Sequence, residues 1–184
     1  MKRALAGKEA QPWWVPRRVL NVVSADVDDA AGVGAIWILW RPRSSRMHEH
    51  IALLEWFGEQ WRYVGGGSGS GDDPVDVDVL DVRNGAGVLS LTRTLDPPCS
   101  ITTAPFISCA KLRLGRDVSH VLIGARRIEV PEQRSLIAVW TSPSISRGLR
   151  PMIVALGRDG AERSRMGPQD SLDTHTWARS REES

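Results

Sequence analysis

Short apolar runs separated by turn residues extend along most of the chain, and their periods predict strands. Residues 19–27 carry apolar side chains in a pattern that favours a strand, although Pro16 in front of them also suits the first turn of a helix. Residues 35–40 are wholly apolar and rich in aromatic and β-branched side chains. Such a run predicts a short strand that is covered on both faces.

A hairpin is the clearest unit of the first half of the chain. Residues 50–56 and 61–64 have the composition of strands, and they flank a short turn that contains Gly58. This pairing would bring Trp56 and Trp61 together at the end of the hairpin. An aromatic cross-strand pair of this kind contributes roughly 0.2–1 kcal/mol.

Glycine and serine fill residues 65–71, a composition typical of a flexible connection between folded units. We therefore predict a small Trp-rich antiparallel sheet before this run and a β-sandwich after it. The predicted divisions are the sheet at 12–65, a linker at 66–73, the sandwich at 74–166 and a polar tail at 167–184, in which Asp170 could cap a short helix. One single β domain over residues 12–178 is the alternative.

The second half contains further strand and turn signals. Valine and aspartate alternate over residues 74–79, which predicts a half-buried antiparallel strand. Asn84-Gly85 is typical of a type I′ hairpin turn with residues 88–92 as the return strand, and Asp159-Gly160 indicates another hairpin. More short runs lie at 106–114, 118–123, 127–130, 135–141 and 152–156. This spacing predicts an all-β, antiparallel protein whose larger part is an immunoglobulin-like β-sandwich.

Charge and composition narrow the classes of function. The 184 residues carry a formal net charge of +2, so the chain lacks the strong basic field that gathers nucleic acid or anionic membranes. The longest uncharged apolar stretch, residues 30–40, is shorter than the about 20 residues of a membrane-spanning helix. Residues 1–9 regain charge before the apolar core of a signal peptide can form, so we expect a cytoplasmic protein. Cys99 and Cys109 are then expected to be free, buried thiols.

Tryptophan is the main compositional signal, because eight tryptophans accompany only two phenylalanines and one tyrosine. Large aromatic side chains are usually buried, so we expect most of the tryptophans in the core. Trp37 and Trp40 lie three residues apart and should face opposite sides of a strand, whereas Trp61 and Tyr63 should share a face. The remaining candidate binding surface consists of Trp13, Trp14, Trp61, Arg62 and Tyr63.

His48 and His50 form the only local pair with the character of metal ligands. Residues i and i+2 of a strand share a face, so both imidazoles could hold a divalent ion if a third ligand came from elsewhere. His120, His175 or an aspartate could supply that ligand, and nothing in the spacing selects among them. We favour exposed histidines without a metal, and we expect no cofactor.

Sequence signals for catalysis are weak. No lysine follows the glycine run as a phosphate-binding loop requires, and no serine stands in a Gly-x-Ser-x-Gly elbow. The first hypothesis is therefore a non-enzymatic protein that recognises another protein through its aromatic N-terminal part or a free sheet edge. The alternatives are a metal-dependent hydrolase centred on His48 and His50 and, third, a weak binder of carbohydrate or nucleic acid.

Overall fold

The computed structural model describes residues 16–17, 19–42, 47–70, 77–90, 103–143 and 149–170. These residues form antiparallel strands and contain no helix, which confirms the all-β class. In chain order, the strands are β1 (Leu20–Asp28), β2 (Val33–Trp40), β3 (His48–Phe57), β4 (Gln60–Ser70), β5 (Leu80–Leu89), β6 (Phe106–Leu114), β7 (His120–Ile123), β8 (Arg126–Glu129), β9 (Ser135–Ser142), β10 (Ile153–Leu156) and β11 (Glu162–Met166).

The N-terminal sheet consists of β1 to β4 in sequence order. Its first two strands confirm the apolar runs predicted at residues 19–27 and 35–40. The predicted hairpin is β3 and β4, in which Trp56 pairs with Trp61. Gly58 and Glu59 form its two-residue turn, and both have positive φ, as a type I′ turn requires.

The glycine and serine run belongs to β4. Gly65–Ser70 pairs in register with His48–Leu53, so the predicted linker is wrong for residues 66–70, and residues 71–73 lie outside the described residues. A Cβ atom on Gly66 would lie 2.0 Å from the carbonyl oxygen of Ile51, and one on Gly65 would lie 3.1 Å from Val88. Glycine is therefore present here because the backbones and the next sheet approach closely.

The middle sheet consists of β5, β6 and β9 in the order β5-β6-β9. The hairpin turn predicted at Asn84-Gly85 is wrong, because β5 continues through both residues with an irregular register between Asn84 and Gly87. A Cβ atom on Gly85 would lie 2.5 Å from the carbonyl oxygen of Cys109, so this glycine also serves a close approach. The strand predicted at 74–79 is absent from residues 77–79, and residues 74–76 lie outside the described residues.

The C-terminal sheet has the order β11-β10-β7-β8. Its strands confirm most of the short runs of the second half, and β10 and β11 form the hairpin predicted at Asp159-Gly160. Gly160 has a φ of 76°, which explains the glycine at this turn. The helix predicted after Asp170 lies outside the described residues.

The middle sheet is buried on both faces. One face supplies Ile107, Cys109, Ile137 and Val139 to a core shared with the N-terminal sheet. The opposite face supplies the alternate residues of the same strands to a core shared with the C-terminal sheet, among them Ala110, Leu112, Leu136, Ala138 and Trp140. The parts predicted as separate units therefore share a core, while the domain boundaries and the immunoglobulin-like arrangement stay predictions.

Side chains from other strands close the outer edge of β9. The N–H of Ile137 donates to Ser24 Oγ at 3.1 Å, and the N–H of Val139 donates to Asp26 Oδ2 at 2.8 Å. Arg126 donates to both carboxylate oxygens of Asp26, at 3.1 and 2.9 Å, and also to the carbonyl of Val139. These side chains thus satisfy peptide groups on the edge of β9 that faces β1. An edge strand without such partners leaves its peptide groups open to pairing with another chain.

Candidate functional site

The outer face of the N-terminal sheet, which points away from the shared core, is mainly apolar. Its side chains alternate along each strand with those that face the middle sheet. From β2, β3 and β4, the outer face carries Ile36, Ile38, Trp40, Ala52, Leu54, Trp56, Trp61 and Tyr63. Three of these aromatics are well exposed, with 44% of Trp40, 48% of Trp56 and 57% of Tyr63 accessible.

The aromatic side chains cluster at the hairpin end of this face. The rings of Trp56 and Trp61 lie 5.5 Å apart in an edge-to-face arrangement with an interplanar angle of 68°. Tyr63 is two residues further along β4 on the same face, as predicted. The pair fixes the orientation of both indoles while leaving about half of Trp56 accessible.

Arg62 lies on the opposite face from Trp61 and Tyr63, because it comes between them along β4. Its guanidinium group stands 4.9 Å from the centre of the Phe57 ring. The three predicted binding residues of this strand are therefore divided between its two faces. Trp13 and Trp14, the other predicted binding residues, lie outside the described residues.

The free edge of β4 borders the aromatic cluster. β4 is last in the order of its sheet, and within the described ranges no strand pairs with its far edge. Gly66, Ser68 and Gly69 are exposed along this strand. A strand edge with few side chains offers its backbone N–H and C=O groups to a second chain without steric hindrance.

The five tryptophans that the structure describes differ in burial, and fewer than half of them lie in the core. Trp37 and Trp140 are buried, Trp40 and Trp56 are exposed, and Trp61 lies between these limits. The predicted separation of Trp37 from Trp40 is confirmed. The sequence predicted only a hairpin contact for Trp56 and not its exposure. Strand parity does not reveal that exposure, because Leu54 lies on the same face as Trp56 and is fully buried.

His48 and His50 both lie on the outer face, on β3. His48 is exposed, and Nδ1 of His50 lies 2.7 Å from Ser68 Oγ on the neighbouring strand. The described part of the chain contains no group of three or more histidine, cysteine or acidic residues that could hold a metal ion. The hydrolase hypothesis therefore has no third ligand among these residues.

Of the two cysteines, Cys109 lies within the described residues and Cys99 lies outside them. Cys109 is a free thiol buried between the N-terminal and middle sheets. Burial raises its pKa to about 11, which keeps the thiol protonated at neutral pH. A protonated, inaccessible thiol is a packing group and a poor nucleophile.

No family model matches the chain, and comparisons with curated proteins and with solved structures found no match. Where the structure describes the chain, no helix has the length and apolar character to cross a membrane.

Proposed function

We propose that this is a non-enzymatic, cytoplasmic binding protein that takes an extended segment of another protein as an additional strand along β4. The observation that carries the proposal is the juxtaposition of a glycine-rich strand edge, with which no described strand pairs, and exposed aromatic side chains. In strand addition, backbone hydrogen bonds supply affinity, and alternate side chains of the added strand supply specificity.

The aromatic cluster defines the chemistry of the added segment. A strand next to β4 would place every second side chain on the outer face, beside Tyr63 and Trp61. Aromatic and β-branched side chains pack well against such a surface. The expected partner segment is therefore extended and carries such residues at alternate positions.

Peptides selected by display on the purified protein test the proposal. We expect them to share alternating apolar residues and to bind about tenfold more weakly to a Tyr63→Ala variant, which corresponds to about 1.4 kcal/mol of contact energy. The N–H groups of Gly67 and Ser68 point to opposite edges of β4, so one of them faces the added strand. Proline at that residue should abolish binding because proline has no N–H to donate, and both single variants, Gly67→Pro and Ser68→Pro, should therefore be compared.

Trp40→Ala is the matched control for Tyr63→Ala, since Trp40 is also a well-exposed aromatic on the outer face but lies on β2. Its peptide affinity should equal that of the unaltered protein. Peptides without the alternating pattern, or binding that survives both proline variants with their fold intact, would rule out strand addition along β4.

A further inference from the structure

A cleft of about 480 Å³ opens between the N-terminal and middle sheets, away from the aromatic cluster. Trp37, Leu39 and Glu49 line it from the N-terminal sheet, and Arg113, Leu114 and Ser135 line it from the middle sheet. Its volume lies within the roughly 300–1,000 Å³ of pockets that bind small molecules. The cleft is therefore large enough to accept a compact organic ligand.

Two buried polar atoms of the cleft residues lack partners. Trp37 is only 4% exposed, and its Nε1 has no hydrogen-bond partner among the described residues. The Oε2 atom of Glu49 likewise has none there, whereas its Oε1 accepts a 2.6 Å hydrogen bond from Lys111. A buried donor or acceptor without a partner is destabilising, so a ligand that reached these two atoms would gain one donor and one acceptor.

Lys111 fixes this arrangement from the middle sheet. Its ammonium group bonds to Glu49 and also stands 5.6 Å from the centre of the Trp37 ring. The lysine offsets the negative charge of the glutamate and orients both side chains. Oε2 of Glu49 can then accept a hydroxyl or amide hydrogen, while the indole N–H can donate to an oxygen.

The charge on the cleft walls is positive. Arg113, Arg116 and Arg134 line the cleft, whereas Glu49, the one acidic residue among its described lining, is already paired with Lys111. Arg134 uses its guanidinium to donate to the carbonyls of Val118 and Gly115, so it is a structural group. The exposed Arg116 lies where a negative group of a ligand would be stabilised.

We propose that the cleft is a binding site for a small amphipathic organic anion. The ligand would have an apolar body against Val23 and Leu39, a hydroxyl or amide group for Trp37 and Glu49, and an anionic group near Arg116. This site is separate from the β4 edge, so either proposal can fail without the other.

Two fluorescent probes that share one apolar body test the site. 8-Anilinonaphthalene-1-sulfonate carries a sulfonate and an N–H, and N-phenyl-1-naphthylamine lacks the sulfonate. We expect saturable binding of one sulfonate probe per chain, about fivefold tighter than binding of the neutral probe. Arg116→Ala should remove that difference and leave the affinity for the neutral probe unchanged.

Leu39→Trp should abolish binding of both probes because the larger side chain fills the cleft, and circular dichroism would verify its fold. Trp56→Ala, on the outer face, should leave both affinities unchanged. The proposal fails if the sulfonate probe does not saturate or binds no tighter than the neutral probe. It also fails if Trp56→Ala, rather than the cleft variants, removes binding.

Discussion

At the scale of single residues, Cys109 shows how the contact between two sheets determines chemistry. Its sulfur accepts the N–H of Ala86 at 3.2 Å, and the opposing strand comes so close that only glycine fits at residue 85. The surrounding apolar side chains remove water from the thiol, and the resulting desolvation is the main reason for its raised pKa.

Cys109 should resist alkylation in the folded protein. In a Cys99→Ser variant, which leaves Cys109 as the single thiol, iodoacetamide at pH 8 should react far more slowly with native than with urea-unfolded protein. Equal rates in the two states, followed by mass spectrometry, would show that the thiol is accessible.

The same thiol should reduce stability at high pH. The pKa of Cys109 rises from 9.0 to about 11 on folding, so its contribution is complete below about pH 9 and is lost as the pH rises towards 11. The free energy of unfolding of Cys99→Ser should therefore fall more steeply over this range than that of the Cys99→Ser, Cys109→Ala double variant. Denaturant titrations at pH 8 and pH 10.5 would measure the difference.

At the scale of elements, polar side chains connect the strands of different sheets, in addition to the backbone hydrogen bonds within each sheet. Asp26 is the main example, because it accepts hydrogen bonds from the backbone of β9 and from Arg126 at the start of β8. One carboxylate thus joins strands of all three sheets.

Asp26→Ala should destabilise the protein by about 3 kcal/mol, because it leaves the Val139 N–H without its acceptor and removes the bidentate carboxylate partner of Arg126. Asp159→Ala is the control, since Asp159 is an exposed partner of Arg163, and its loss should change stability by less than about 1 kcal/mol. Urea unfolding of both variants makes the comparison. Similar small effects would mean that Asp26 contributes little.

Local sequence signals predicted the strands better than the turns. The apolar run at residues 135–141 identified a strand because burial on both faces requires continuous apolar sequence. The run at residues 35–40 also identified a strand, although Trp40 at its end is exposed. The glycines at residues 66 and 85 were misread as a linker and a turn. Glycine is required at these two residues because the backbone lies close to Ile51 and Cys109. Both contacts are distant along the chain, so a local sequence pattern does not predict them.

The candidate site was predictable only in part. Strand parity correctly placed Trp61 and Tyr63 on one face, but it also places Arg62 on the other. The cleft at Trp37 and Glu49 could not be foreseen, because it depends on the stacking of two sheets whose partners are far apart in sequence.

At the scale of the whole molecule, the middle sheet joins two cores. The inner face of the N-terminal sheet, with Val33, Trp37 and Leu53, is covered by residues that come much later in the chain. The N-terminal sheet should therefore depend on the middle sheet for its stability.

A fragment of residues 1–73 should not fold by itself, and the complete chain should unfold in one cooperative transition. The fragment should show no dispersed amide resonances by NMR, because it lacks Ile107, Ile137 and Val139. A folded fragment, or two separate transitions for the complete chain by calorimetry, would support two independent domains.

The late position of β9 has a consequence for biosynthesis. Ser142, at the end of β9, follows Ser70, at the end of β4, by 72 residues. At a translation rate of roughly 5–20 residues per second, β9 is completed about 4 to 14 seconds after β4. During that interval the apolar β2 is exposed on the ribosome, so the yield of native protein should depend on translation speed and on chaperones that bind the growing chain.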